Sequence, residues 1–180
     1  MADDKAERAR LSEFLESQRE SLIAKLQGLD DDQARLTPTV SDLSLLGLVK
    51  HSSIWERRWF QVILAGQDFT GQWPEVGFGD NAATFDLALE DTVESVVAEY
   101  RAQIAISNEI MAGLALDAPC ALRGADEDLR WVALHMIEET ARHAGHADIL
   151  RETIDGSQGR GLTPSDRIVT SPGDVTIRPQ

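Results

Sequence analysis

Histidine is scarce in this chain, four in 180 residues, yet His135, His143 and His146 crowd into one short stretch that also holds Glu139. Imidazoles and a carboxylate are the donors that take a borderline divalent metal ion. On a helix turning about 100° per residue, with His135 at zero, His146 falls at about 20°, Glu139 at about 40° and His143 at about 80°. Val132 and Leu150 fall at about 60° and Met136 at about 100° on the same wheel. The donors therefore share a stripe with side chains that must face a core. Burying a carboxylate without a partner is costly, which leaves metal coordination or a buried polar network. Glu139 and His143, four positions apart, can converge on one ion. The third donor must come from a facing helix, and His51 is the only histidine outside this stretch. His51, Glu139 and His143 would form a two-histidine, one-carboxylate set with open positions, suited to catalytic zinc or another borderline divalent metal such as nickel or manganese. The bland alternative is that Glu139 and His143 form an ordinary helix-surface pair. Two other motifs are absent. Met136 follows His135, so there is no H-E-x-x-H, and Arg142 stands three after Glu139, so there is no E-x-x-H of the di-iron bundles.

Four segments have to position these groups. The first spans about 5–26, with Leu11, Phe14, Leu15, Leu22 and Leu26 on one face and Gly28 beyond its end. The second spans about 45–65. Ser44 is its predicted N-cap, and Leu48, Ser52, Trp55, Trp59 and Val62 share a face with His51. The third spans about 92–114, opened by a predicted Asp91-x-x-Glu94 capping box and striped by Val93, Val96, Val97, Tyr100, Ile104, Ser107 and Met111. The fourth spans about 129–154, with acids at 126–128 and Gly156 at its end. These patterns predict an all-α four-helix bundle over residues 1–156. Leu134 and Ile137 fall off the core stripe of the fourth helix, which implies a second interface. A long crossover between the second and third helices carries Phe69, Trp73, Phe78 and Phe85, and is expected to cover one end of the bundle. The acids at 80, 86, 90, 91, 94 and 99 read as a solvated face. Residues 157–180 form an irregular tail whose glycines and prolines forbid a long helix, with Val175-Thr176-Ile177 as a short predicted strand.

Composition narrows the partners. With 31 acidic against 17 basic residues the net charge is −14. Such a field repels nucleic acid and anionic membrane surfaces, leaving a small molecule or another protein. The single cysteine, Cys120, permits no intrachain disulfide and no cysteine-based zinc site, as expected in a reducing cytoplasm. Its immediate neighbours, Ala118-Pro119-Cys120-Ala121, include no basic residue or histidine to activate its thiol. The acidic start, Met1-Ala2-Asp3-Asp4, is unlike a signal peptide.

The run Leu48-Val49-Lys50-His51, the aromatic crossover, and residues 129–152 with Glu139-Thr140-Ala141-Arg142-His143-Ala144-Gly145-His146 at their centre resemble the DinB-like superfamily over about residues 8–156. They are most similar to its actinobacterial branch of mycothiol-dependent transferases. The resemblance implies a four-helix bundle with a divalent metal near one end, often in a homodimer. The family's usual pattern is one histidine on the second helix and H-x-x-x-H on the fourth. Glu139 stands at the first of those two positions, which resembles the His-Glu-His set of mycothiol-dependent maleylpyruvate isomerase. The ligands carried over are His51, Glu139 and His143. His146, where relatives often have Gln, would lie beside the ligands, and His135 reads as a packing histidine. Arg142 would either reach a polar group of the thiol or bridge Glu138 and Glu139. Trp55 and Trp59 would be core, or would line a substrate pocket. The implied chemistry is activation of a mycothiol-like thiol for attack on a small electrophile, in keeping with a cytoplasmic detoxification enzyme. Two other functions compete on the same scaffold: a non-catalytic, metal-binding stress-response protein, and a hydrolase using metal-bound hydroxide.

Overall fold

The structure is a computed structural model, and it describes residues 2–68, 82–122 and 124–158. Four long helices dominate it: α1 (Ala2–Ala24), α3 (Leu45–Arg57), α4 (Val93–Gly113) and α5 (Leu129–Asp155), with a single short turn, α2 (Asp31–Ala34), between the first two. α1 packs along α5 and α3 along α4, and α3 also lies against α5, which closes an all-α bundle. Among the described residues there is no strand, only a bridge between Pro119 and Asp128, and no helix is long and apolar enough to cross a membrane.

Local sequence explains the helix ends. Ser44 caps α3 by accepting the Gly47 N–H at 3.0 Å, and Asp128 caps α5 by accepting the Trp131 N–H at 2.8 Å. Gly156 ends α5 in the left-handed conformation that a glycine adopts without strain. The predicted box at Asp91 and Glu94 shifts by one residue. Thr92 is the cap and exchanges hydrogen bonds with Ser95, because the Asp91 carboxylate is already taken by the Ala88 N–H and by Lys50. The acidic run is thus partly paired rather than wholly solvated. Two short elements escaped the helical periodicity: α2, with its capping box between Asp30 and Gln33, and a 3₁₀ turn at Ala83–Phe85 inside the crossover. The end of the second predicted helix also differs. From Arg58 to Leu64 the chain widens into a π-helix that continues α3.

Two apolar clusters fill the bundle. Leu22, Leu26, Leu45, Leu48, Val49, Ile104, Ala144 and Leu150 belong to one. Leu11, Leu15, Phe60, Leu64, Met111, Val132 and Met136 belong to the other. Each fully buried Leu stabilises the fold by about 1.5–3 kcal/mol relative to exposure. Between them in sequence, on every long helix, sit buried polar side chains: Arg19 on α1, His51, Ser52 and Glu56 on α3, Ser107 on α4 and Thr140 on α5. Arg19 makes a two-pronged ion pair with Glu56 and donates to Asn108 at 2.9 Å. Leu134 is exposed, as the second-interface expectation requires, whereas Ile137 packs on the second cluster. Phe69, Trp73, Phe78 and the predicted strand at 175–177 lie outside the described residues.

Candidate metal centre

Three contacts, two from α3 and one from Arg35, hold residues 83–91 beside His51. Lys50, its neighbour, is nearly buried and donates to the Asp86 carbonyl and the Asp91 carboxylate, both at 2.8 Å. A side chain at Gly47 would place its Cβ 2.7 Å from the Phe85 carbonyl oxygen, so only glycine permits this approach. Arg35 holds the same segment from the other side by donating to the Ala88 and Asp91 carbonyls. The result puts two partners on the imidazole. Thr84 Oγ1 lies 2.6 Å from His51 Nδ1, and the Phe85 ring stacks on His51 with centroids 3.9 Å apart and 9° between planes. When Nδ1 donates to Thr84, the lone pair sits on Nε2, the tautomer a metal ligand needs.

α5 supplies the other donors. The His143 ring stands edge-on to His51 with centroids 4.8 Å apart. Its Nε2 is 3.8 Å from Glu139 Oε2, and its buried Nδ1 has no hydrogen-bond partner among the described residues. Burial, then the charge of His143 and Arg58, lowers the His51 pKa to about 3. Burial, then His146 and Arg142, lowers that of His143 to about 4. Both rings are therefore neutral at pH 7. Neutral imidazoles, one with an orphaned buried nitrogen, beside a carboxylate form a donor set that fits a divalent metal.

These side chains open on a cavity of about 310 Å³ whose lining includes His51, Glu139 and His143 together with Ser52, Trp55, Trp59, Met136 and Thr140. A family model for mycothiol S-transferase matches residues 10–156. The chain belongs to that family, within the DinB-like superfamily. The match ends at Gly156, the residue that terminates α5. No curated protein and no solved structure matches the chain.

The remaining predicted residues fall around this centre. Arg142 bridges the acids, donating to Glu138 at 2.5 Å and lying 2.9 Å from Glu139. Its guanidinium thus orients Glu139 at the cavity rim. His146 is exposed, its ring 6.0 Å from that of His143. Trp55 lines the cavity rather than the core. His135 stacks on Trp131 at 4.9 Å and meets the edge of Trp59 at 4.6 Å, the packing role expected of it. His135, Glu138 and Glu139 also bring ligand atoms within 4.8 Å of one another. Glu139 is common to this group and to the pair with His143, and Arg142 is bonded to it in either case; the buried His143 nitrogen is what distinguishes the His51 side.

Sequence reasoning missed Thr84 as a partner of His51. No local pattern marks it, since its position depends on a fold-back over more than thirty residues. Met136 and Thr140 flank Glu139 on the same helical face, and that spacing was a signal for the cavity floor.

Proposed function

We propose that this protein is a divalent-metal-dependent S-transferase, with His51, Glu139 and His143 as the metal ligands and a mycothiol-like low-molecular-weight thiol as cosubstrate. The observation that carries this reading is that two neutral imidazoles, their ring centroids 4.8 Å apart, and a carboxylate line one cavity. A divalent metal bound there, zinc first and nickel or manganese as alternatives, would lower the pKa of a thiol placed on it and so favour thiolate attack on a small electrophile. The chain's own groups prepare that step. Thr84 and Phe85 hold the His51 ring in one tautomer and one plane. Arg142 fixes Glu139 at the rim, and Ser52 and Thr140 give the floor two hydroxyl groups. No protein nucleophile is required. Cys120 is absent from the cavity lining, and burial, with Glu127 and Asp128 nearby, pushes its thiol pKa up.

The reading extends to the whole chain. Residues 1–156 carry the complete site and 157–180 form an appended tail. The exposed Trp131, Leu134 and Ile149 of α5 support a homodimer formed through that helix. Thiol conjugation of electrophiles fits a detoxification role in the cytoplasm.

Elemental analysis of wild type beside His51→Ala, followed by assay with and without thiol, tests the reading. It expects about one metal ion per chain, lost in the variant, and turnover only when thiol is present. No metal in either protein after exposure to excess divalent ions would sink the triad. Turnover without thiol would favour the hydrolase, and metal without turnover the non-catalytic binding protein.

A further inference from the structure

We infer that a second pocket, on the far side of α3 from the metal cavity, binds a small aliphatic ammonium compound. Neither the proposed metal nor the thiol takes part in it, so the inference is independent of the reading above.

One helix serves two faces. With Lys50 at zero on a wheel of about 100° per residue, Ser53 falls at about −60°, whereas His51 falls at about 100°, Trp55 at about 140° and Ser52 at about 200°. His51, Ser52 and Trp55 line the metal cavity. Lys50 and Ser53 lie on the opposite face, where α3 packs on α4, and with Glu90, Asp91 and Glu99 they line a separate cavity of about 290 Å³.

Three carboxylates against one ammonium give this lining an excess of two negative charges among the described residues. Lys50 is committed to Asp91 and to the Asp86 carbonyl, both at 2.8 Å. The Ala88 N–H holds Asp91 from a second side at 2.8 Å. Glu99 accepts from the Gln103 amide, a neutral donor that leaves its charge in place. A concavity whose wall carries one excess sign concentrates the opposite ion.

A buried hydroxyl turns this charge into a site. Ser53 is 1% exposed, and its Oγ has no hydrogen-bond partner among the described residues. Its neighbour Ser52 satisfies its own hydroxyl by donating to the Leu48 carbonyl at 3.0 Å, a usual solution for serine inside a helix. Ser53 makes no such bond. A buried oxygen left unbonded carries a desolvation cost, which an ammonium N–H donated to it would remove.

The same geometry excludes a bare metal ion. Calcium and magnesium need several oxygens within about 2.0–2.6 Å. Among the described residues only His135, Glu138 and Glu139 bring three ligand atoms within 4.8 Å of one another, so Glu90, Asp91 and Glu99 stand too far apart to share one ion. A cavity of this volume suits a cation with a carbon chain. Val96, buried within the first apolar cluster, gives that chain an apolar wall. The two excess charges match a diamine.

The test is calorimetric titration of the full-length protein with 1,4-diaminobutane at about 0.15 M salt, where charges more than about 8 Å away are largely screened. Uncharged 1,4-butanediol is titrated beside it. Ser53→Ala, Glu90→Gln and Glu109→Gln are compared with wild type, with circular dichroism confirming that each is folded. Glu109 is an exposed acid of α4 outside the lining, so its replacement removes the same charge elsewhere. One diamine should bind per chain, about tenfold or more tightly than the diol. Ser53→Ala should weaken it by about fivefold or more and Glu90→Gln by about threefold or more, while Glu109→Gln should change it by less than about twofold. No saturable binding, equal binding of the diol, a loss in Glu109→Gln as large as that in Glu90→Gln, or an unchanged affinity in Ser53→Ala would overturn the inference. Because Ser53 and Glu90 lie outside the lining of the metal cavity, the result does not depend on what that cavity holds.

Discussion

Without the proposed metal, this protein should be acid-labile through two particular side chains. In the folded chain His51 and His143 have pKa values of about 3 and about 4, whereas an unfolded histidine titrates near 6.5. A depressed folded value means that the unfolded chain binds protons first. The stability these neutral rings contribute is fully present above pH 6.5, is lost as pH falls below it, and stops falling once the folded rings themselves titrate near pH 4 to 3. At pH 5 the unfolded form of each histidine is favoured by about 2 kcal/mol, so the pair costs about 4 kcal/mol at most, a large share of a typical 5–15 kcal/mol. Between pH 6 and 5 the unfolding free energy should fall with a slope approaching 2.7 kcal/mol per pH unit, the value for two protons. Urea unfolding in the presence of a chelator, followed from pH 7 to 5, reads this slope directly. His51→Gln should remove about half of it, and His51→Gln with His143→Gln nearly all. A double variant that keeps the wild-type slope would refute the reasoning, because the protons would then be entering elsewhere.

Three further outcomes follow from the supports of the site. Gly47→Ala forces a Cβ against the Phe85 backbone oxygen, so the segment carrying Thr84 must shift, and metal affinity measured by chelator competition should fall about 10–100-fold. Thr84→Val keeps the side-chain shape and removes the hydroxyl partner of His51 Nδ1. It should weaken the metal by about tenfold with little change in melting temperature, and an unchanged affinity would show that Thr84 does not orient the ring. Glu56→Ala removes the only fully buried carboxylate on Arg19 and leaves that buried guanidinium with the part-exposed Glu16 and with Asn108, and should cost about 3 kcal/mol in chemical denaturation.

The fold was legible because helical periodicity is a local signal. Leu15 and Leu22, or Val132 and Met136, occupy the core faces their spacing demanded, and the ends of α4 and α5 fell within a residue or two of expectation. What local pattern cannot carry is a contact across the chain. Asp91 has the right spacing to cap α4, yet Lys50 competes for it, and Thr92 takes the cap instead. The His51 face of α3 and the Glu139–His143 pair of α5 could be read separately. That their rings meet at 4.8 Å depends on how two helices pack, and the Thr84 contact depends on a chain reversal through the crossover. Trp55 and Trp59 read first as core, with a pocket as the alternative, because an apolar side chain looks identical in sequence whether its neighbours fill the space beside it or leave it open; both line the cavity.

The position of the polar groups explains how a bundle of this size tolerates such a site. A buried ion pair, two desolvated imidazoles and a glutamate in one region would ordinarily be a liability. Here they sit along each helix between two apolar clusters, Leu22 to Leu150 on one side and Leu11 to Met136 on the other. Those clusters supply the packing that holds the helices together, so the intervening side chains need not be chosen for stability. Arg19 and Glu56 satisfy each other and tie α1 to α3. His143 Nδ1 on α5 is left without a partner in the same region. A chain selected for stability alone would fill that gap with an apolar side chain. Keeping a neutral imidazole with a free nitrogen among the described residues opposite a second one, with a cavity beside them, is intelligible if a ligand completes the set, and this local violation is what the proposed metal site would explain.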